Sequence, residues 1–325
     1  MVVSTSVGLI RFDPLTKSGL DKSYVFISHA HSDHVGGLRS DANGYLTAET
    51  KDILSKGRGA EEAENFVALK YGDTVNLGGA SVTAHNSGHI LGSAQYKFRD
   101  GESSIVYTGD LNCREMLTTS AAEAIPCDML ILETTYGSPS YVFPSAADVY
   151  VEIVNWAIGQ IRKGKSPTFT VYPVGKAQEI VKIFNEFTSI PVVASPSVAK
   201  VNEIYDRNGV SLEYVNAASE EGKELLKQPC VNVISPIEKI SVSDHCSYAS
   251  ATGWALRWGG SSAAFPLSGH ADFNQLVEYV KRVKPKEVLT VHGFKKEFAN
   301  YLSRRLGIRA REIPLLKQGS LKAYF

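Results

Sequence analysis

Ser28-His29-Ala30-His31-Ser32-Asp33-His34-Val35-Gly36-Gly37 is the stretch on which the reading of this chain turns. Three histidines and an aspartate fall within six positions, directly after the apolar run Tyr24-Val25-Phe26-Ile27. A strand that ends in such a cluster presents nitrogen and oxygen donors at its mouth, and metal binding is the natural reading of that residue set. Residues two apart on an extended segment point the same way, so His29 and His31 share a side. Asp33 and His34 lie on the turn that follows and can face a second ion. Gly36-Gly37 lets the backbone turn sharply after them.

Working outward, other strand-like runs end in a residue able to bind or catalyse. Val7 to Phe12 reads as a strand that delivers Asp13 to an Asp-Pro turn. Thr50 to Gly57 reads as a short helix with a glycine stop. Between Phe66 and Val106, β-branched and aromatic runs alternate with Gly72-Asp73, Gly78-Gly79 and Asp100-Gly101, a β-meander pattern. His89 sits in Asn86-Ser87-Gly88-His89, Asp110 in Thr108-Gly109-Asp110, and Glu133 at the end of Met129-Leu130-Ile131-Leu132-Glu133. Three successive strands ending in a polar residue suit a site built along one sheet edge. From Pro144 to about Ser250 the texture changes to alternating helix and strand, with helical patterns over 146–163, 175–187 and 197–207. Strands that carry functional residues then return, with Ser268-Gly269-His270-Ala271-Asp272 and Val291-His292-Gly293.

The chain has 325 residues, 43% hydrophobic and 21% charged, which suits a globular protein of one large domain or two and excludes a disordered or fibrous class. Met1 to Ser6 carry no signal-peptide pattern and no stretch approaches a membrane span, so a cytoplasmic protein without membrane contact is expected. Cys113, Cys127, Cys230 and Cys246 are scattered without a C-x-x-C pair, which points to reduced, structural thiols. Net charge is zero, yet residues 281–325 hold twelve Lys and Arg against Glu287, Glu297 and Glu312. That basic end, including Lys295, Lys296, Arg304 and Arg305, is either a set of solvated helix faces or a surface for a polyanion. His85 and His245 read as ordinary histidines outside any site. Trp156, Trp254 and Trp258 read as packing residues, with Trp254 the one best placed to line a groove.

Taken in order, D-P, HAHSDH, SGH, TGD, ETTYG, SGHAD and VHG resemble the metallo-β-lactamase fold and its β-CASP nuclease branch. The stretches Pro173-Val174-Gly175-Lys176-Ala177-Gln178-Glu179 and Thr252-Gly253-Trp254 resemble short DNA-ligase-associated exonucleases, and similar motifs occur in prokaryotic mRNA 3′-end processing RNases. The resemblance implies an α/β fold, an αββα sandwich formed by residues 1–140 and 251–325. A reduced β-CASP-like α/β cap over 141–250 is inserted into it. It implies one metal held by His29, His31, His89 and Asp110, and a second held by Asp33, His34, His292 and the same Asp110. Zn is the metal favoured for both, and Mn is compatible with the donors. Asp13 corresponds to an aspartate that supports the ligand loop. Glu133 and His270 correspond to a carboxylate that orients a histidine at the scissile phosphate, and Asp33 counts among the catalytic residues as well as the ligands.

The expected activity is metal-dependent hydrolysis of phosphodiester bonds in DNA or RNA, as an exonuclease in repair or processing or as an RNA 3′-end endoribonuclease. DNA ligase, a helicase or RNA-processing proteins are the expected protein partners. Two other readings stay open at this stage. A small-molecule ester or thioester hydrolase of the same fold needs neither the Glu133/His270 pair nor the basic end. An inactive scaffold subunit is the other, although none of the expected ligands is missing.

Overall fold

Alternating and continuous apolar runs become, in the computed structural model, the strands β1 (Val2–Thr5), β2 (Gly8–Phe12), β3 (Ser23–Phe26), β4 (Asn43–Thr47), β5 (Val67–Leu69) and β6 (Thr74–Asn76). They continue with β7 (Ala80–Asn86), β8 (Ala94–Asp100), β9 (Ser103–Tyr107), β10 (Met129–Glu133), β11 (Ser166–Thr170) and β12 (Val192–Ala194). The last are β13 (Val215–Asn216), β14 (Val231–Ile234), β15 (Cys246–Ala251), β16 (Ala263–Phe265), β17 (Glu287–Val291) and β18 (Arg309–Glu312). The structure describes all residues except 6–7, 18–22, 39–42, 57–59, 239–244, 259–262 and 314–325. The expected helix stop at Gly57 and the basic residues Lys317 and Lys322 lie outside the described residues.

Two compact units divide the chain. The first comprises Met1–Glu115, Ser120–Val142 and His270–Phe325. It holds a sheet of order β1-β2-β3-β4-β5 and a sheet of order β18-β17-β10-β9-β8-β7-β6. Ile10, Phe12 and Phe26 of the one meet Val82, Tyr96, Phe98, Ile105 and Ile131 of the other in a single buried cluster. Phe12 stacks on Tyr96 and Tyr107 with ring centroids 5.9 and 5.3 Å apart, and the Tyr96 hydroxyl donates to the Ile27 carbonyl at 2.7 Å, so no polar group is stranded there.

The outer faces are covered by helices. Residues Phe273–Val283 show why: Phe273, Leu276, Val277, Val280 and Val283 recur at helical spacing and are all buried, against Val106, Leu130, Leu132 and Val288. Asp272 caps this helix by accepting from the Gln275 backbone N–H at 2.9 Å. Emptying one such position by Leu276→Ala costs about 2–5 kcal/mol. On the far sheet, Leu54 of helix Ala48–Ser55 packs with Val25, Ile27 and Leu46. Helix, sheet, sheet and helix give the expected αββα sandwich. Because β10 is covered on both faces it is buried throughout, which explains the unbroken apolar run from Met129 to Leu132.

β9, β10 and β17 are adjacent and parallel, with Met129 opposite Ile105 and Glu133 opposite Val291. Their carboxyl ends therefore open at one edge. The hairpin partner β1 had no counterpart in the sequence reading, which took Met1 to Ser6 only as lacking a signal pattern; it pairs Val2 with Arg11 and Val3 with Ile10.

The second unit comprises Met116–Thr119 and Phe143–Gly269. Its sheet runs β13-β12-β14-β11-β15-β16 with every pairing parallel. Parallel neighbours need crossovers, and helices Lys176–Phe187, Pro196–Arg207 and Glu220–Leu225 supply chain for them. Glu179 ties segment 116–119 into this unit. Its carboxylate accepts from the Leu117 and Thr118 backbone N–H groups at 3.0 and 3.1 Å, the Thr118 hydroxyl at 2.6 Å and the Tyr150 hydroxyl at 2.5 Å. This unit keeps residues 251–269, which the sequence reading assigned to the sandwich. β15 pairs with β11 and β16 pairs with β15, although Cys246-Ser247-Tyr248-Ala249-Ser250-Ala251 lacks the apolar run that marks a buried strand.

Candidate metal centre

The chain leaves β3 through Ile27 and Ser28 into the loop that carries His29, His31, Asp33 and His34. Side-chain donor atoms of His29, His31, His89 and Asp110 all lie within 4.8 Å of one another. His31 Nδ1 is 3.1 Å from both His29 Nε2 and His89 Nε2. Asp110 Oδ2 is 3.5 Å from His29 Nε2 and 3.6 Å from His89 Nε2. A tetrahedral zinc with Zn–N near 2.0–2.1 Å has ligand-to-ligand edges of about 3.3 Å, so these spacings fit such an ion. Burial, joined by the charges of His34, His31, His89 and His270, holds the His29 imidazole well below its ordinary range. A neutral ring keeps the lone pair that a metal needs.

The other Asp110 oxygen faces a second donor group. Oδ1 is 3.5 Å from His34 Nε2, which is 3.6 Å from Asp33 Oδ2. His292 stands beside His34 with ring centroids 5.8 Å apart, outside the compact donor group. Asp33 is 76% exposed on its side chain, whereas His29 is fully buried, so the second group is the more open. Burial pulls the His34 pKa down, but Asp110, Asp13 and Asp33 outweigh it and push it up to about 10. Three carboxylates around one imidazole make a place that favours positive charge, the property a second cation requires.

Asp13 is buried and its oxygens are occupied. Oδ1 accepts from the Ser28 backbone N–H at 2.7 Å; Oδ2 accepts from the Ser28 hydroxyl at 2.5 Å, His34 Nδ1 at 2.7 Å and the Tyr107 hydroxyl at 2.9 Å. The Ser28 oxygen is also 2.9 Å from His29 Nδ1. Asp13 thus fixes His34 directly and His29 through Ser28, leaving both Nε2 atoms aimed inward. Gly109 makes this packing possible: at φ 54° a Cβ there would stand 2.7 Å from Ser28 Cβ. His89 is placed by Ser93, whose hydroxyl accepts from the His89 and Ile90 N–H groups at 3.0 and 3.1 Å.

His270 and Glu133 meet as expected. Nδ1 is 3.0 Å from Glu133 Oε1, and Nε2 points back to within 3.9 Å of Asp110 Oδ2. Burial pushes the Glu133 carboxyl up. The charge and hydrogen bond of His270, with a 2.7 Å bond from the Thr135 N–H to Oε2, outweigh that and hold it below its ordinary value. Thr134 locks the neighbouring strand end, its hydroxyl donating to the Val291 and His292 carbonyls at 2.9 and 2.8 Å. His292 itself has φ 59° and Gly293 φ 46°, a left-handed pair that turns the chain away from β17. Sequence reasoning missed Ser28, Ser93, Tyr107 and Thr134 as holders of the site; of these only Ser28, adjacent to the ligand cluster, carried any signal.

The basic end is partly spent on local contacts. Lys295 Nζ donates to the Ile313 carbonyl at 2.7 Å and lies 3.7 Å from Glu312, while Arg311 reaches Glu287 at 2.8 Å and Lys286 reaches Asp128 at 2.7 Å. Lys296, Arg304 and Arg305 are exposed. His85 lies 3.1 Å from Glu123, outside the donor groups, and His245 is exposed. Burial pushes the Cys113 and Cys127 thiols up to about 12, which suits inert cysteines. Trp156 packs against Phe169 and Phe265, but Trp254 and Trp258 are exposed, contrary to a packing role.

Histidine and aspartate donors gathered at the strand ends of an αββα sandwich define a metallo-hydrolase fold. Residues 9–161 match the β-lactamase superfamily domain, and residues 263–311 match the Zn-dependent metallo-hydrolase RNA specificity domain. The chain thus carries a β-lactamase superfamily domain and an RNA specificity domain of Zn-dependent metallo-hydrolases, and it resembles the β-CASP nucleases. It is 33% identical over 290 residues to a probable DNA ligase of Opitutus terrae, a match that covers 86% of this chain and 28% of that protein. It is 26% identical over 350 residues to an RNase J-like protein of Methanocaldococcus jannaschii, covering 83% of this chain and 81% of the relative. A protein of unknown function from Enterococcus faecalis shares the fold, with a TM-score of 0.64 at 21% identity over 90% of this chain and 79% of that one. No helix among the described residues is long and apolar enough to cross a membrane.

Proposed function

We propose that this chain is a metal-dependent nuclease that hydrolyses phosphodiester bonds of RNA from an end. The observation that carries the proposal is the His270–Glu133 pair aimed at Asp110 beside the histidine donors, because a hydrolase of small esters has no need of it. The match of residues 263–311 to an RNA specificity domain favours RNA.

In this reading His29, His31, His89 and Asp110 hold one divalent ion, and Asp33, His34, His292 and Asp110 hold another, with zinc favoured. Such ions supply polarisation of the phosphate and a water acidic enough to ionise near neutral pH. The chain's own residues do the rest. Asp13 and Ser28 orient the imidazoles. Glu133, kept ionised, holds His270 Nδ1 so that Nε2 faces the phosphate and donates a proton to the departing oxygen. Asp33, on the open side, also helps to position the attacking water. Residues 143–269 form the reduced β-CASP-like cap that engages the polymer, and exposed Lys296, Arg304 and Arg305 contact phosphates. A cytoplasmic location belongs to the same proposal.

A second reading, DNA-end processing beside a ligase or a helicase, is favoured by the 33% identity to part of a probable DNA ligase. Incubating metal-loaded protein with end-labelled single- and double-stranded RNA and DNA separates the two. Mononucleotide release from RNA is the expected result, DNA-only cleavage supports the second reading, and no cleavage of any polymer overturns both.

A further inference from the structure

β14, β11 and β15 lie side by side and run parallel, so their carboxyl ends open at one edge of the second unit. Open parallel sheets take their ligands at such edges. Shortly past these three ends stand Ile237, 91% exposed, Tyr172, 74% exposed, and Trp254, 37% exposed. From β15 the chain enters the 3-10 helix Gly253–Arg257 and then reaches Trp258, 57% exposed. Residues three apart eclipse in a 3-10 helix, so Trp254 and Arg257 project from one face, and Trp258 follows directly. The Arg257 side chain is exposed and makes neither a hydrogen bond nor an ion pair among the described residues. Aromatic side chains exposed at one sheet edge, together with a guanidinium that has no partner among the described residues, form a patch with a purpose other than folding.

We infer that Tyr172, Trp254, Arg257 and Trp258 form a stacking platform for the bases of single-stranded nucleic acid. The chemistry selects this occupant. Indole and phenol faces stack on any base, and a guanidinium among them can pair with a phosphate or stack in turn. A protein partner would be better met by an aliphatic groove, and among the described residues past these strand ends Ile237 is the one large aliphatic side chain left exposed. The acid on the β14 side, Glu238, already accepts from the Ser197 backbone N–H at 3.1 Å and its hydroxyl at 2.5 Å. On the β11 side Lys176 closes the loop after Tyr172 by donating to the Leu267 carbonyl at 2.8 Å. Duplexes hide their base faces, so the platform discriminates against them. The choice of ligand rests on the nucleic-acid reading above, and it names the strand form that reading leaves open.

The test is fluorescence anisotropy of labelled oligo(U), oligo(dT) and a duplex with the full chain, in EDTA so that the probes stay whole. A parallel series uses the untreated protein with phosphorothioate oligomers. Trp258→Ala and Trp254→Ala are each expected to weaken single-strand binding by roughly 5- to 150-fold, the span of one lost base–aromatic stack. Trp258→Phe should retain most of it, and Arg257→Ala should reduce the salt slope by about 0.7. Wild-type binding to single strands that these variants leave unchanged would overturn the inference, as would equal affinity for the duplex or no oligonucleotide binding at all. Hydrolysis of a small phosphodiester by metal-loaded wild-type protein reads the active centre separately. Failure there with platform-dependent binding intact removes the nuclease reading and keeps the platform.

Discussion

Asp13→Asn isolates the residue on which the centre's order depends. Asp13 has φ 42°, a conformation that asparagine tolerates better than other residues do, so the backbone can stay in place. Its two oxygens accept from four donors at 2.5–2.9 Å, and an amide offers one oxygen for two. With the amide nitrogen turned to the Oδ1 side, it confronts the Ser28 backbone N–H; turned the other way, it confronts Ser28, His34 and Tyr107 together. The cheaper orientation leaves one buried N–H unpaired, about 1–3 kcal/mol, and weakens the remaining bonds by removing the charge. The expected loss of stability is therefore roughly 2–4 kcal/mol. Zinc affinity should fall about 10–100-fold, the usual effect of losing a residue that orients a ligand, while stoichiometry at saturating zinc stays the same. Competition against a chromophoric chelator measures the first, metal analysis the second, and unfolding of chelator-treated protein the stability. Tyr107→Phe is the control, because it removes one donor and leaves Asp13 satisfied; it should cost about 1 kcal/mol with little change in zinc affinity. If Asp13→Asn binds zinc within about threefold of wild type, the orienting role fails. If it loses an ion at saturation, Asp13 is itself a ligand.

His292→Ala should lower metal content and recover partly in excess metal, whereas His270→Ala should keep its metal and lose roughly 10²–10⁴-fold in single-turnover cleavage; metal loss in the second variant would refute the division of roles. Gly293→Ala should cost about 2–4 kcal/mol and displace His292, because a Cβ there meets Thr135 Cα at 2.4 Å in a left-handed turn; a calorimetric scan with metal analysis checks it. Asp128, held at about 2 by Lys286 and Ser104, contributes stability that is full above its unfolded pKa near 3.8 and is lost as pH falls towards 2. The stability gap between wild type and Asp128→Asn should accordingly shrink over that window, and a constant gap would contradict the assignment. Charge reversal at Lys296, Arg304 and Arg305 should flatten the salt dependence of nucleic-acid binding, while Lys295, tied to Ile313 and Glu312, should contribute less to it than Lys296; equal slopes in all variants would return these residues to a solvated helix face.

The sandwich was legible because its periodicities are strong. β7 alternates buried and half-buried residues, and β10 is apolar up to Leu132 because helices and a second sheet cover both its faces. The second unit was legible in texture but not in extent. Its strands β13, β15 and β16 are short or polar, and their place in the sheet is set by pairing with β12, β11 and β15. A local pattern cannot report a pairing whose specificity resides in the partner. The same limit hid β1, which is a strand because β2 needs an antiparallel neighbour at the sheet edge.

The candidate ligands stood out for a different reason: His29, His31, Asp33 and His34 crowd into six positions after one strand, and His89, Asp110 and His292 each neighbour a glycine near a strand end, so the seven form a signal without any knowledge of contacts. The groups that hold them are of common types. Ser28, Ser93, Tyr107 and Thr134 act through hydrogen bonds fixed by tertiary position, and apart from the place of Ser28 beside the ligand cluster nothing in their spacing separates them from other surface or core residues. Lys295 shows the converse. In sequence it is equivalent to Lys296, yet its ammonium is tied to the Ile313 carbonyl while Lys296 faces solvent. Charge composition therefore located the basic end but could not distinguish the cations that brace the sandwich from those left exposed to solvent, because that choice depends on which carbonyls and carboxylates β18 brings within reach.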